Sequence, residues 1–300
     1  MPLEELTGEL QPGSFWSTVR NRSNEALRAG ALHPISTKAD FVEDGGIEFV
    51  VRVSDNLLRK REAPGSYHAP RRDNPFLPPE PGLTIGSLAP HHVAVLNKFN
   101  VIEDHVLVVT RGFAHQESPL TADDFAAVAP GLAEGAGLAF YNAGRTAGAS
   151  QPHKHFQLVP LPLGRRAAVP TAVLFDGAAD GVQTVARLGF RHAFSRVETP
   201  VAEPEAFGRA CHDLYRRALA GLGLIEAPHG EEESRLPPYN LLLTERWMFI
   251  APRRAEHYRD VSVNALGYAG SLLVSSPDKL DYVRATGPLT ILDSVSIAAS

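Results

Sequence analysis

Residues 150–160 read Ser150-Gln-Pro-His-Lys-His-Phe-Gln-Leu-Val-Pro160, and the alternation inside this stretch decides how the chain is read. As a strand over His153–Leu161, period two puts His153, His155 and Gln157 on one face and sends Phe156 and Leu158 into a core. Lys154 falls on the opposite strand face, as a rim residue. Imidazole and amide groups attack, accept and donate near neutral pH. Alone, the row is ambiguous, because His-x-His also suits a solvated strand face or half of a zinc site. Gln157 is a poor ligand beside imidazole and thiolate. The single cysteine, Cys211, excludes a thiolate cage. The loop just upstream, Tyr141-Asn-Ala-Gly-Arg-Thr-Ala-Gly-Ala-Ser150, narrows the choice. Gly144 and Gly148 let backbone N–H groups approach an anion, and Asn142, Arg145, Thr146 and Ser150 add donors. A phosphate-sized nest running into a His-x-His-x-Gln strand points to phosphorus chemistry.

The gross numbers set bounds. Three hundred residues, 44% apolar and 21% charged, have the mix of a soluble globular protein with a large core. No run of 18 apolar residues marks a membrane span, and the N-terminus lacks the basic and apolar pattern of a signal peptide. One cysteine fits a reducing, cytoplasmic setting. A net charge of −5 speaks against a general nucleic-acid binder but not against a nucleotide ligand, for which local basic groups suffice.

Along the chain, residues 1–30 read as a helix and Gly45–Val53 as a strand. Residues 61–82 are rich in Pro and Arg and read as an irregular loop. His92–Phe99 and His105–Thr110 read as a hairpin. Thr121-Ala-Asp-Asp124 is a capping box with Asp in place of Glu, opening a helix to about Ala136. Gly137–Asn142 and His153–Leu161 are strands flanking the anion loop. After an Ala- and Gly-rich crossover at 163–187 come a strand at Arg191–Val197 and a helix at Pro204–Leu224 with Cys211 in its core. A second hairpin at Tyr239–Thr244 and Met248–Ala251 follows, then a helix at Pro277–Arg284. The order predicts an α+β fold, antiparallel sheet with helices packed on it. The two hairpins share a pattern, residues 93–98 with 240–245 and 105–111 with 248–253, which hints at two similar halves.

The signature Asn142-x-Gly144, Gly148-Ala-Ser-Gln-x-His-Lys-His-x-Gln157 resembles that of the diadenosine tetraphosphate phosphorylases, or ATP adenylyltransferases, of the histidine-triad superfamily. Asn74-Pro-Phe-Leu-Pro-Pro79, Leu96-Asn-Lys-Phe99, His105-Val-Leu-Val-Val-Thr110, Tyr239-Asn-Leu-Leu-Leu-Thr244, Trp247-Met-Phe-Ile-Ala-Pro-Arg253 and Asn264-Ala-Leu-Gly-Tyr-Ala-Gly270 extend the resemblance from about residue 45 to 285, in order. It implies two histidine-triad-like halves, residues 1–165 carrying the nucleophile and 166–300 completing the substrate site. It also implies phosphorolysis of diadenosine tetraphosphate to ATP and ADP through a covalent adenylyl-histidine.

Carried onto this chain, the resemblance makes His155 the nucleophile, with Gln157 donating its amide to a phosphate oxygen and His153 orienting. Gly148, Ala149 and Ser150 offer backbone N–H groups beside Gln151. Lys60 contacts the polyphosphate, Asn97 and Lys98 form a pair at the nucleotide site, and Asn142 contacts ribose or phosphate. Asn264, Ala265 and Leu266 form a substrate-contacting segment, with further contacts at Ser271 and Ser275. Eukaryotic relatives would carry Met and Lys at those last two positions, so either Arg253 or Arg254 compensates for the missing charge or the preference for polyphosphate chain length differs. The expected partners are small molecules: the dinucleoside polyphosphate, ATP, ADP and phosphate. No cofactor is required, no protein-bound metal is expected, and magnesium enters only as a counter-ion to the phosphates. The oligomeric state stays open. Alternative readings are a hexose-1-phosphate uridylyltransferase-like enzyme, against which Lys154 between the histidines and the lack of cysteines both count, and a non-catalytic nucleotide-binding protein. A hydrolase of the superfamily would carry histidine where Gln157 stands.

Overall fold

The computed structural model describes residues 10, 13–54, 74–88, 90–133, 137–177, 182, 184–226 and 235–299. Helix α1 (Phe15–Arg28) is followed by a hairpin of β1 (Lys38–Asp44) and β2 (Ile47–Val53), then by strands β3 (Thr84–Leu88), β4 (His92–Leu96) and β5 (Val106–Thr110). Helix α2 (Ala122–Leu132) leads into β6 (Gly137–Asn142) and β7 (His155–Pro160). Then come β8 (Ala193–Arg196), α3 (Pro204–Gly221), β9 (Tyr239–Leu243) and β10 (Trp247–Pro252). The chain closes with the short pair β11 (His257–Tyr258) and β12 (Val261–Ser262), then α4 (Ala265–Tyr268), β13 (Ser271–Val274), α5 (Pro277–Thr286) and α6 (Pro288–Val295).

Eight strands form one sheet in the order β3-β4-β5-β7-β6-β9-β10-β8, every neighbouring pair antiparallel. The expected α+β architecture is what the chain adopts. The six strands from β5 to the edge strand β8 form a palindrome, β5-β7-β6 meeting β9-β10-β8 at a seam where Asn142 lies opposite Asn240. Each side is a strand, a helix and two strands: β5-α2-β6-β7 and β8-α3-β9-β10. This corrects the hairpin equivalence drawn from pattern, since β9 and β10 correspond to β6 and β7 and not to β4 and β5. Any half-buried antiparallel hairpin shows the same alternation, so apolar pattern alone does not fix which hairpins match.

Alternation explains the two cores. Tyr141, Phe156, Leu158, Leu241 and Ile250 point to one face, where they pack with Val19, Phe125 and Tyr215 of α1, α2 and α3. Phe140, Val159, Leu242 and Phe249 point to the other, against Phe49 of β2, Tyr268 of α4 and Val295 of α6. Fully burying each such side chain contributes roughly 1.5–3 kcal/mol. Cys211 sits inside the first core, its thiol pushed up by burial. Close packing of α2 on α3 depends on Gly208, where a Cβ would lie 2.4 Å from the Ala122 carbonyl oxygen.

Helix α2 starts at the predicted capping box: Thr121 N–H donates to Asp124 at 2.8 Å, and Asp124 N–H donates back to the Thr121 hydroxyl at 3.2 Å. It ends at Leu132, short of the expected Ala136, two residues after Pro130, which cannot donate to the helix. Strand β13, absent from the sequence reading, pairs in parallel with β2, Arg52 opposite Leu273, making the three-stranded sheet β1-β2-β13.

Candidate active site

Strand β7 begins at His155, one residue after Lys154, and the histidines sit in different surroundings. His155 is buried, and its Nδ1 lies 2.8 Å from the His153 carbonyl oxygen. A carbonyl only accepts, so Nδ1 carries the proton and the Nε2 lone pair is left for chemistry. Burial pushes the His155 imidazole down to about 4, outweighing the opposing hydrogen bond from His153, so the ring is neutral at physiological pH. His153 has both nitrogens engaged: Nε2 donates to the Thr110 carbonyl at 2.9 Å, and Nδ1 accepts from the Asn74 amide at 2.9 Å. Its contribution to His155 runs through its backbone oxygen.

Gln157 is oriented by a residue the sequence reading did not assign to the site. His105 Nε2 lies 3.0 Å from Gln157 Oε1, and its Nδ1 accepts from the Asn97 amide at 3.3 Å. With Oε1 taken by His105, the Gln157 amide nitrogen is the end left for a ligand. Burial pushes His105 down to about 4, more than the Gln157 hydrogen bond raises it. Gln116, also missed, is buried and ties three elements together. Its Oε1 accepts from His155 N–H at 2.8 Å, and its amide donates to the Asn142 and His155 carbonyls at 2.9 and 3.2 Å. Local pattern assigns neither residue its role, because His105 meets Gln157 across 52 residues and Gln116 meets His155 across 39.

His155, Gln157, His105 and Asn97 line a cavity of about 470 Å³, whereas His153, expected at the site, and Gln116 do not. One part is apolar, with Phe76, Leu83, Val95, Ile102 and Leu107. Another carries His155, Gln157, Asn142, Ser150, Gln151 and Arg52. Of the residues singled out from sequence, Asn97, Lys98, Gly148, Asn264, Leu266 and Ser271 also line it, although Lys98 is paired with Glu80 at 2.8 Å. Asn142 ties β6 to β9 and to α4: its Oδ1 accepts from Asn240 at 2.8 Å and from Ala265 N–H at 2.9 Å. Asn264 caps α4 by accepting from Leu266 N–H at 3.0 Å. Gly148 has φ +94°, and a Cβ there would sit 2.9 Å from Asn264 Cβ, so glycine lets the loop press against the second half.

Several expectations are corrected. The N–H groups of Gly148 and Ala149 donate within the loop, to the Arg145 and Gly144 carbonyls, because residues 145–147 close a 3₁₀ turn. Of the three expected backbone donors, this leaves Ser150. Ala149 and the exposed Arg145 do not line the cavity. Lys154 is no rim residue: it is buried, with Nζ 2.6 Å from Asp124 and 2.7 Å from the Pro119 carbonyl. Burial would raise the Asp124 carboxyl, but the His92 hydrogen bond and the Lys154 charge outweigh it and hold it well below the usual range. Arg253 does not line the cavity either. It is buried and donates to Asn240 and to the carbonyls of Ala255, Glu256, Val263 and Val295. Arg254 is exposed and donates to the Ser294 carbonyl. Ser275 is outside the cavity lining, with its hydroxyl buried. Lys60 lies outside the described residues. Among the described residues, no three His, Cys, Asp or Glu side chains come together to hold a metal, and no helix is long and apolar enough to cross a membrane.

A histidine, an amide and a glycine-linked loop around one cavity, on a sheet built of two related sides, define a class of nucleotide-transfer folds, and comparison with known proteins narrows it. Residues 5–177 match the family model described as the Ap4A phosphorylase N-terminal domain, and residues 186–298 match the ATP adenylyltransferase C-terminal domain. The chain belongs to this family of Ap4A phosphorylases and ATP adenylyltransferases. It is 24% identical over 292 residues to Protein APA1 of Saccharomyces cerevisiae, covering 89% of this chain and 88% of that protein. It is 28% identical over 212 residues to diadenosine 5',5'''-P1,P4-tetraphosphate phosphorylase 2 of the same yeast, covering 62% and 63%. The crystal structure of yeast Ap4A phosphorylase Apa2 in complex with Ap4A shares the fold, with a TM-score of 0.77 at 21% identity over 97% of this chain and 99% of that one.

Proposed function

We propose that this chain catalyses the phosphorolysis of diadenosine tetraphosphate to ATP and ADP, and its reverse, by double displacement at His155. The observation that carries the reading is the His155 tautomer: Nδ1–H is held by the His153 carbonyl, and Nε2 is unprotonated at the wall of the cavity beside Gln157. Nε2 attacks the α-phosphorus, the bond from that phosphorus to the bridging oxygen breaks, and ATP leaves. Positive charge arriving on the ring is stabilised by the carbonyl at Nδ1. The Gln157 amide, held by His105, and Ser150 donate to the non-bridging oxygens. Phosphate then attacks the adenylyl-histidine, His155 leaves as neutral imidazole, and ADP is released. Residues 1–165 supply the nucleophile, and residues 166–300 complete the site through Asn264, Leu266 and Ser271. The substrates are small nucleotides and phosphate, with magnesium carried on the phosphates. The activity is placed in the cytoplasm, a reducing setting that suits a chain with one buried cysteine.

The test is a quenched turnover with diadenosine tetraphosphate labelled at the α-phosphorus, alongside diguanosine and UDP-sugar substrates with and without phosphate. Label should be trapped on His155 in acid-labile, base-stable form. His155→Ala should lose turnover while still binding nucleotide. Turnover without labelled enzyme would sink the double displacement.

A further inference from the structure

One cation of the cavity has no role in the chemistry described so far. Arg52 of β2 lines the cavity, and its Nε is buried without a hydrogen-bond partner among the described residues. No carboxylate among the described residues engages it, whereas Lys98 is already paired with Glu80. Parallel pairing of β2 with β13 puts Arg52 opposite Leu273, with Ser271 one alternate position away on the same face. One rung past the paired segment, Ser54 N–H donates to the Val274 carbonyl at 2.9 Å, which brings Ser54 beside Ser275 on that face. The hydroxyls of Ser54 and Ser275 are also buried and unpartnered. Three of the six buried side-chain polar atoms without partners among the described residues therefore share one face of one strand pair. Of the three, Arg52 lines the cavity, and a buried guanidinium nitrogen left without a partner at a cavity wall marks a place for an anion. Burial also works against the Arg52 charge, and an anion would offset that. A guanidinium fork suits phosphate oxygens.

We propose that Arg52, with Ser271 on the same face of the cavity wall, binds the phosphates of the leaving nucleotide and sets the preference for polyphosphate chain length. The proposal rests on the nucleotidyl-transfer reading of the same cavity. Its ligand is the run of phosphates beyond the one that His155 attacks, and AMP, which carries only that one phosphate, has nothing for Arg52 to hold.

Calorimetric binding to the full chain in a His155→Ala background, where nothing turns over, separates the two. Arg52→Gln should weaken ATP and diadenosine tetraphosphate about 10- to 100-fold, the loss expected for a charge-assisted hydrogen bond. AMP should change by less than about 2-fold. Adding Ser275→Lys to Arg52→Gln returns a cation to the same face and should recover part of the lost ATP affinity. Equal weakening of AMP and ATP, or unchanged ATP binding, overturns the proposal. If Arg52→Gln does not fold, Arg52→Lys, which keeps the charge and loses the fork, decides by the same ATP-to-AMP ratio. Failure of the wild type to form ATP and ADP would overturn the proposed reaction instead, and the binding ratio reads Arg52 independently of it.

Discussion

Replacing Lys154 by methionine tests whether the residue between the two histidines belongs to the site or to the frame behind it. Lys154 Nζ is 2.6 Å from Asp124, His92 Nε2 is 2.8 Å from the other oxygen of the same carboxylate, and all three side chains are 4–6% exposed. Removing the ammonium strands a buried carboxylate, which costs about 3–5 kcal/mol. A solvated rim lysine in an exposed ion pair would cost about 0–1 kcal/mol. The two readings thus differ by several-fold in one measurement, guanidinium unfolding followed by far-UV circular dichroism at pH 7. Asp124 also closes the capping box of α2, so Asp124→Ala should lose about 1 kcal/mol beyond the ion pair. The double variant should lose less than the sum, since the pair can be broken only once. Asp124 is depressed in the fold, so its stabilisation is present above the unfolded carboxylate value of about 3.9 and lost as pH falls toward the lower folded value. Without Lys154 that depression shrinks, and acid unfolding should begin at a higher pH. A loss under about 1 kcal/mol with an unchanged acid limb would refute the buried-frame reasoning.

The acid limb of kcat/KM for phosphorolysis should lie near pH 4, because the reactive form of His155 is neutral and burial keeps it neutral down to about 4; a limb at pH 6 or above, measured over pH 3.5–8, would contradict that. His105→Phe should lower kcat about 10-fold with a smaller change in KM, since it frees the Gln157 amide to rotate and removes one buried hydrogen bond; unchanged kcat would mean that Gln157 needs no such support.

Local chemistry made part of this structure readable in advance. Alternation placed His155 and Gln157 on the face opposite Phe156 and Leu158, and the capping box fixed where α2 starts. The unequal surroundings of His153 and His155 follow from contacts with Thr110 and Asn74, which no local pattern records. Lys154 was misplaced because a strand face away from the site is solvent only if nothing covers it, and α2 covers it with Asp124. The β1–β2 hairpin did carry a signal, Asp44-Gly-Gly-Ile47, whose two glycines have φ of +57° and +76° and make a two-residue turn. Strand β1, with four charged residues among its seven and only Val42 buried, hid it. Strand β13 pairs with β2 across more than 200 residues, a distance over which four residues of apolar sequence predict nothing.

The seam between Asn142 and Asn240 relates positions on the two sides of the sheet. Taking that pair as the centre, the register of β6 on β7 and of β9 on β10 sets Ala251 where His155 stands and Arg253 where Gln157 stands. The mirror position of His155 is thus a methyl group, and that of Gln157 is a guanidinium tied to five residues around the 253–264 loop. The vacant partner has become a clamp: Arg253 grips Asn240, Asn240 grips Asn142 and the Ala147 carbonyl, and Asn142 grips Ala265. The centre proposed at His155 is therefore matched by a fastening centre at Arg253, and damage to the second should reach the first through the asparagines without touching the substrate.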